Sequence, residues 1–298
     1  MITRRNFAFG AGIGLLYGVF DSAGVAKAAP AWPDELKREF GRIEKAAKGR
    51  LGVALVDTAD GRRASHRGDE HFPMCSTFKL LACSALLASV DAGSEDLARR
   101  ISFSVAELAP YSPVTKDRAG GAGMTLAELC AAAMTESDNT AANLILANIG
   151  GPSGVTAFAR AIGDDVTRLD RWEPDLNDAR PGDPRDTTTP EAMAGNLLSL
   201  VVGERLSLQS RERLTAWLVA NKTGGDRLRA GLPRGWRVGD KTGGGEFGTT
   251  NDIGVVWPPT GRPLILSVYL TDTSAPVEER NAAIAAVGKA VGKALGSR

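Results

Sequence analysis

Histidine is scarce in this chain. There are two, His66 and His71, and both precede the four motifs that carry the chemistry. A Ser-His-Asp triad is therefore hard to assemble. Cysteine is almost as rare: Cys75, Cys83 and Cys130 are scattered, and with two histidines they make no credible zinc ligand set. Charge of one sign is lacking too. The 36 basic and 35 acidic residues leave a net charge of +1, and their even spread gives no footprint for nucleic acid or an anionic membrane surface. Internal repeats and low-complexity segments are absent. What remains is a 298-residue chain with 43% hydrophobic residues, enough for one large core or two joined subdomains. The expected partner is a small molecule, with no metal, no cofactor and no nucleic acid.

The N-terminus stands apart. Thr3-Arg4-Arg5-Asn6-Phe7 leads into an apolar, Gly-rich run from Phe7 to Phe20, followed by Ala26-Lys27-Ala28. The run is too short to span a bilayer, and the whole reads as a twin-arginine export signal over residues 1–28, cleaved after Ala28. The expected partner of this segment is the twin-arginine export machinery, with no stable membrane insertion. The destination is the periplasm or the exterior, and the mature protein, 29–298, is expected to be a monomer.

Helical spacing of Leu36, Phe40 and Ile43 predicts a helix over Asp34 to Lys48, and Leu51 to Val56 reads as a buried strand. Asp60-Gly61 turns the chain back. From Ser76 to about Leu218 the pattern is helical, with no convincing strand: Lys79 to Leu87, Thr125 to Met134, Asp138 to Asn148, and a helix opened by Thr189 with Pro190 at its first position. Strand signals return at Trp236 to Thr242, Asn251 to Trp257 and Leu264 to Leu270, with a Thr260-Gly261 hairpin turn, before a helix from Pro276 to Leu295. Strands from both ends flanking a helical middle imply an α+β fold, a mostly antiparallel sheet with terminal helices packed on it. The α/β part covers about 29–70 and 221–298, and the all-helical part about 71–220. Gly163 to Thr188, rich in Pro and charge but without periodicity, is a long loop, and such loops are usually functional.

Four short words carry the chemistry: Ser76-Thr77-Phe78-Lys79, Ser137-Asp138-Asn139, Glu173-Pro174-Asp175-Leu176-Asn177 and Lys241-Thr242-Gly243. With histidine excluded, Ser76 needs another base. If it opens a helix, Lys79 lies one turn along on the same face, and the helix N-terminus points N–H groups at a reacting carbonyl. Lys79 accepts a proton only if burial or neighbouring cations such as Lys241 depress its pKa. Ser137-Asp138-Asn139 falls between two helices and equally suits an N-cap. Gly239-Asp240-Lys241-Thr242 has the look of a phosphate loop, but the spacing from Gly235 is wrong and Asp240 would repel phosphate.

As an ordered set, these words resemble the class A serine β-lactamases, which share Ser-x-x-Lys, Ser-Asp-Asn and Lys-Thr-Gly with penicillin-binding proteins. The resemblance covers nearly all of the mature chain. It implies a β-lactamase/transpeptidase-like fold and hydrolysis of penicillins and cephalosporins, with weak carbapenem turnover. It makes Ser76 the nucleophile and Ser137 the hydroxyl that passes a proton to the leaving nitrogen. Asn139 becomes a donor to the substrate's side-chain amide, and the N–H groups of Ser76 and Gly244 an oxyanion hole. Lys241, Thr242 and Arg227 would hold the substrate carboxylate; many relatives place that Arg where this chain has Thr249 and Thr250, and some use a position like Arg227, the alternative being one more surface arginine. Glu173 and Asn177 would fix the water that attacks the acyl-enzyme, with Lys79 or Glu173 activating Ser76. Arg171 and Asp186 would pair at the loop base, and Tyr111 would wall the site or simply pack. Cys83 and Cys130 are paired in many relatives, a bridge worth at most about 4 kcal/mol by chain entropy, against the alternative of two buried thiols. Cys75 stays single, because Gly245 stands where carbapenem-hydrolysing relatives have its partner. Glu173 argues against a transpeptidase or a covalent sensor, neither of which needs that water.

Overall fold

The structure, a computed structural model, describes residues 32–296; the expected export signal lies outside them. Helix α1 (Trp32–Ala47) leads into strands β1 (Arg50–Asp57), β2 (Arg63–His66) and the short β3 (Phe72–Pro73). Helix α2 (Phe78–Asp91), strands β4 (Arg100–Ile101) and β5 (Met124–Thr125), and helices α3 (Leu126–Thr135), α4 (Asn139–Asn148) and α5 (Pro152–Ala161) follow. After a long loop come β6 (Thr187–Thr188), α6 (Pro190–Leu197), α7 (Leu208–Val219) and the single turn α8 (Leu228–Gly231). Strands β7 (Arg237–Gly244), β8 (Thr250–Trp257) and β9 (Leu264–Thr271) and helix α9 (Val277–Leu295) complete the chain.

The main sheet runs β2-β1-β9-β8-β7 and is antiparallel throughout. The α+β architecture is thus present, with first and last strands paired along Arg50–Thr271 to Asp57–Leu264. Alternation along each strand feeds two cores. Leu51, Val53 and Leu55 of β1, with Leu266, Val268 and Leu270 of β9, pack against Leu36 and Phe40 of α1 and Ile284, Val287 and Val291 of α9. Ala54, Val56, Ile253, Val255, Ile265 and Tyr269 face the other way, onto the helical part. Helix α2 crosses that second core with every residue from Phe78 to Leu87 buried, as a helix apolar on all sides must be.

Three short strands, β4, β5 and β6, fall in the stretch from Ser76 to about Leu218 where no strand was expected. β4 pairs with β5 and β3 with β6, each over two residues, ribbons too short for alternation to reveal. A second departure is a correction. Cys83 on α2 and Cys130 on α3 meet in the core as free thiols, and Cys75 is free as well, so the expected bridge is not formed. Burial and the neighbouring Cys83 hold the Cys130 thiol well above its usual pKa, which disfavours the thiolate that disulfide chemistry requires.

Helix termini follow local chemistry. The Thr125 hydroxyl accepts the Glu128 N–H while the Glu128 carboxylate accepts the Thr125 N–H, a capping box. Thr189 caps α6 with Pro190 in its first turn, as expected. Among the described residues, no helix is long and apolar enough to cross a membrane. Replacing Ile284, which is fully buried, with Ala should lower unfolding free energy by about 2–5 kcal/mol, read from the midpoint of urea denaturation.

Candidate active site

Ser76 sits in a single 3₁₀ turn, Cys75–Thr77, that runs directly into α2, with Cys75 held in the left-handed region at φ 45°. Asn251 on β8 fixes this turn from below by donating its amide to the carbonyls of Pro73 and Met74. One helical turn on, Lys79 returns its ammonium to the Ser76 hydroxyl at 3.0 Å. Both the expected face and the expected reach are therefore present.

Lys79 is fully buried, and an unpartnered cation there would be prohibitively costly. It donates to the Ser137 carbonyl at 2.8 Å, to Asn139 Oδ1 at 2.7 Å and, more loosely, to Ser137 Oγ at 3.4 Å. Glu173 Oε1 lies 3.1 Å from the ammonium and accepts from Ser76 Oγ at 3.3 Å. Burial lowers the Lys79 pKa, against the charge of Glu173, which raises it.

Ser137 holds a left-handed backbone, φ 59°, and its hydroxyl accepts from Lys241 at 3.0 Å. Asp138 is the cap: its carboxylate takes the Ala141 N–H and also the N–H groups of Val114 and Thr115 and the Thr115 hydroxyl. The capping reading holds for Asp138, while Ser137 and Asn139 turn to Lys79. Asn139 uses its amide on the Pro110 carbonyl, and its N–H on the Tyr111 carbonyl. The Tyr111 ring itself stands exposed.

Strand β7 brings Lys241 in on the face toward Ser137, where it also donates to the Thr242 carbonyl at 2.9 Å. Burial first, and the Lys79 charge second, lower the Lys241 pKa to about 7. The Thr242 hydroxyl pairs with that of Thr223 at 2.5 Å. Arg227 lies behind β7 and β8: Nη1 donates to the carbonyls of Gly243 and Asn251, and Nε to Asn281. It is no loose surface arginine.

Gly244, the last residue of β7, and Gly245 after it differ in their surroundings. A Cβ on Gly244 would come no closer than 3.8 Å to anything, so close packing does not demand glycine there. At Gly245 a Cβ would fall 2.6 Å from the Asn177 carbonyl and 2.7 Å from Cys75 Sγ, which excludes a side chain unless the loop moves.

The 163–188 loop is tied down along its length. The Asp186 carboxylate, almost fully buried, accepts Arg171 Nε at 2.5 Å and the N–H groups of Asp170 and Arg171. Asn177 donates to Glu173 Oε2 at 2.5 Å. Sequence reasoning missed Asn143. Its side chain brackets Glu173, donating to its carbonyl at 2.9 Å and accepting its N–H at 3.0 Å. The available signal was its position four residues after Asn139, on the same face of α4. Among the described residues, no group of three or more His, Cys, Asp and Glu side chains could hold a metal ion.

Comparison with known proteins agrees with this geometry. Residues 35–295 match the model of the beta-lactamase enzyme family. The chain is 49% identical to beta-lactamase OXY-2 of Klebsiella oxytoca, over 88% of this chain and 90% of that protein. It is 51% identical to beta-lactamase AST-1 of Nocardia asteroides, over 86% and 83%. The solved structure of an ancestral class A β-lactamase superposes with a TM-score of 0.86 at 60% identity, covering 87% of this chain and all of that one. Fold, motif order and relatives together define a hydrolase of the β-lactamase fold. The chain belongs to the class A β-lactamases, hydrolases of the β-lactam amide.

A carboxylate ligand bound at Lys241 should weaken as pH rises through about 7, because Lys241 is charged below that value and neutral above it. The measurement is KM for a penicillin against pH. Lys241→Arg, which keeps its charge, should lose this alkaline rise if the fold accommodates the larger head.

Proposed function

We propose that the chain hydrolyses penicillins and cephalosporins, and carbapenems poorly, through an acyl-enzyme on Ser76. The observation that carries this reading is the mutual approach of three buried groups: Ser76 Oγ, Lys79 Nζ and Glu173 Oε1 all lie within 3.3 Å of one another. In the first step Ser76 Oγ attacks the lactam carbonyl and its proton passes to Lys79 or Glu173. The amide C–N bond breaks as Ser137, fed by Lys79 and Lys241, delivers a proton to the nitrogen. The N–H groups of Ser76 and Gly244 would receive the developing oxyanion.

In the second step, Glu173 takes a proton from water, whose oxygen attacks the ester carbonyl; the C–Oγ bond breaks and the proton returns to Ser76 Oγ, directly or by way of Lys79. Asn177, bonded to Glu173 Oε2, and Asn143, bonded to the Glu173 main chain, support this by fixing both ends of the base. Lys241 and Thr242 would meet the substrate carboxylate, with Arg227 adding positive charge from behind β7. Asn139 would donate to the substrate's side-chain amide, and Tyr111 would wall the mouth. Poor carbapenem turnover follows from Gly245, which gives Cys75 no bridging partner.

Glu173→Ala should give a burst of nitrocefin hydrolysis followed by a rate about 10²–10⁴-fold below wild type, with a mass adduct on Ser76. Undiminished steady turnover would remove Glu173 from the mechanism. In the same assay, carbapenem turnover matching that of a penicillin would reject the proposed spectrum.

A further inference from the structure

Behind the site, on the face of β7 and β8 turned toward α8, two carboxyls meet. Asp240 and Asp252 are both fully buried. Thr242 pairs with Asp252 across the strands and Asp240 with Gly254, so the two acids are diagonal neighbours on one face, opposite the face that carries Lys241. They lie within hydrogen-bond reach of each other.

Their outer oxygens are satisfied. Asp240 Oδ1 accepts Arg229 Nε at 2.7 Å and Nη2 at 2.5 Å, and Asp252 Oδ2 accepts the Leu228 N–H at 3.1 Å. Their inner oxygens are not: Asp240 Oδ2 and Asp252 Oδ1 are buried and have no donor among the described residues. The loop before α8 closes over the first of these, since a Cβ on Gly224 would fall 1.7 Å from Asp240 Oδ2. Two buried neighbouring carboxyls that each leave an oxygen without a donor repel one another as two charges and are stabilised by a proton between them.

The charged surroundings favour keeping a single negative charge. Arg229 is bonded to Asp240. Arg227 faces Asp252 but has committed Nε and Nη1 to Asn281 and two main-chain carbonyls, with Arg280 from α9 beside it. Lys241 lies across the strand. Burial first, and the Asp240 charge second, hold the Asp252 carboxyl well above the usual carboxylate range.

We infer that Asp240 and Asp252 share one proton, Asp252 being the neutral acid that donates to Asp240 Oδ2, and that Asp252 is thereby a positioning residue for the strand pair beneath Thr242 and Gly244. The shared proton is independent of the reaction assigned above. Its effect on turnover rests on the carboxylate-binding role proposed for Lys241 and Thr242.

Infrared spectra at neutral pH test the proton directly. Wild type should show the C=O stretch of a protonated carboxyl, and Asp252→Asn should lack it. A raised folded-state pKa also means that the folded chain holds a proton the unfolded chain releases, so stability falls as pH rises from the ordinary carboxylate range toward the folded pKa. Asp252→Asn should flatten that slope in Tm by one proton. No band in wild type, a band that survives in Asp252→Asn, or an unchanged Tm slope would each overturn the inference. In kinetics, Asp252→Leu, which cannot donate, should raise KM for a penicillin about tenfold with little change in kcat, while the Asn amide restores most of it. Equal KM increases in the two variants would reject the positioning role, even where nitrocefin turnover upholds the hydrolase.

Discussion

One buried ammonium organises this molecule. Lys79 has no route to solvent, and every acceptor that makes its charge tolerable comes from a different part of the chain: Ser76 from the turn before α2, Ser137 and Asn139 from the α3–α4 junction, Glu173 from the long loop. A cation in a dry interior is strongly coupled to each of its partners. Correct placement of three separate segments is therefore enforced by a single electrostatic demand.

The same economy appears in the loop that carries Glu173. It has almost no regular structure, yet its base is closed by the Arg171–Asp186 pair, its middle is gripped by Asn143, and its far side is fastened when Glu246 donates its N–H to the Asn177 carbonyl. These ties join the loop to α4 on one side and to the end of β7 on the other. A carboxylate at hydrogen-bonding distance from a serine hydroxyl needs that kind of support, because side-chain placement on an untethered loop would scatter by more than the reach of a hydrogen bond.

Periodicity and punctuation made the architecture readable from sequence: the stripes of α1 and α9, the alternating strands at both ends, and Thr189-Pro190 opening α6 all reappear in the structure. The four motifs identified Ser76, Lys79, Ser137, Glu173 and Lys241, which do converge, because their spacing within each word already fixes one turn or one strand step. What stayed hidden depends on distant neighbours. Asn143 has no meaning until α4 packs under the loop, Arg227 cannot be told from a surface arginine until β7 and β8 cover it, and the two-residue ribbons carry no pattern of their own. The cysteines show the opposite error, where likeness to relatives supplied a bond between Cys83 and Cys130 that the core holds as two thiols.

The contact at Gly245 has a consequence for how the molecule can vary. A hydrogen atom there is the whole clearance between Cys75 on one side and the Asn177 carbonyl on the other, so three segments are in mutual register through a space too small for a methyl group. Any lineage that enlarges this position must shift the acidic loop, and with it the reach of Glu173. A change at this one position is therefore felt at once by the turn that carries Ser76, by the end of β7 and by the loop that carries Glu173.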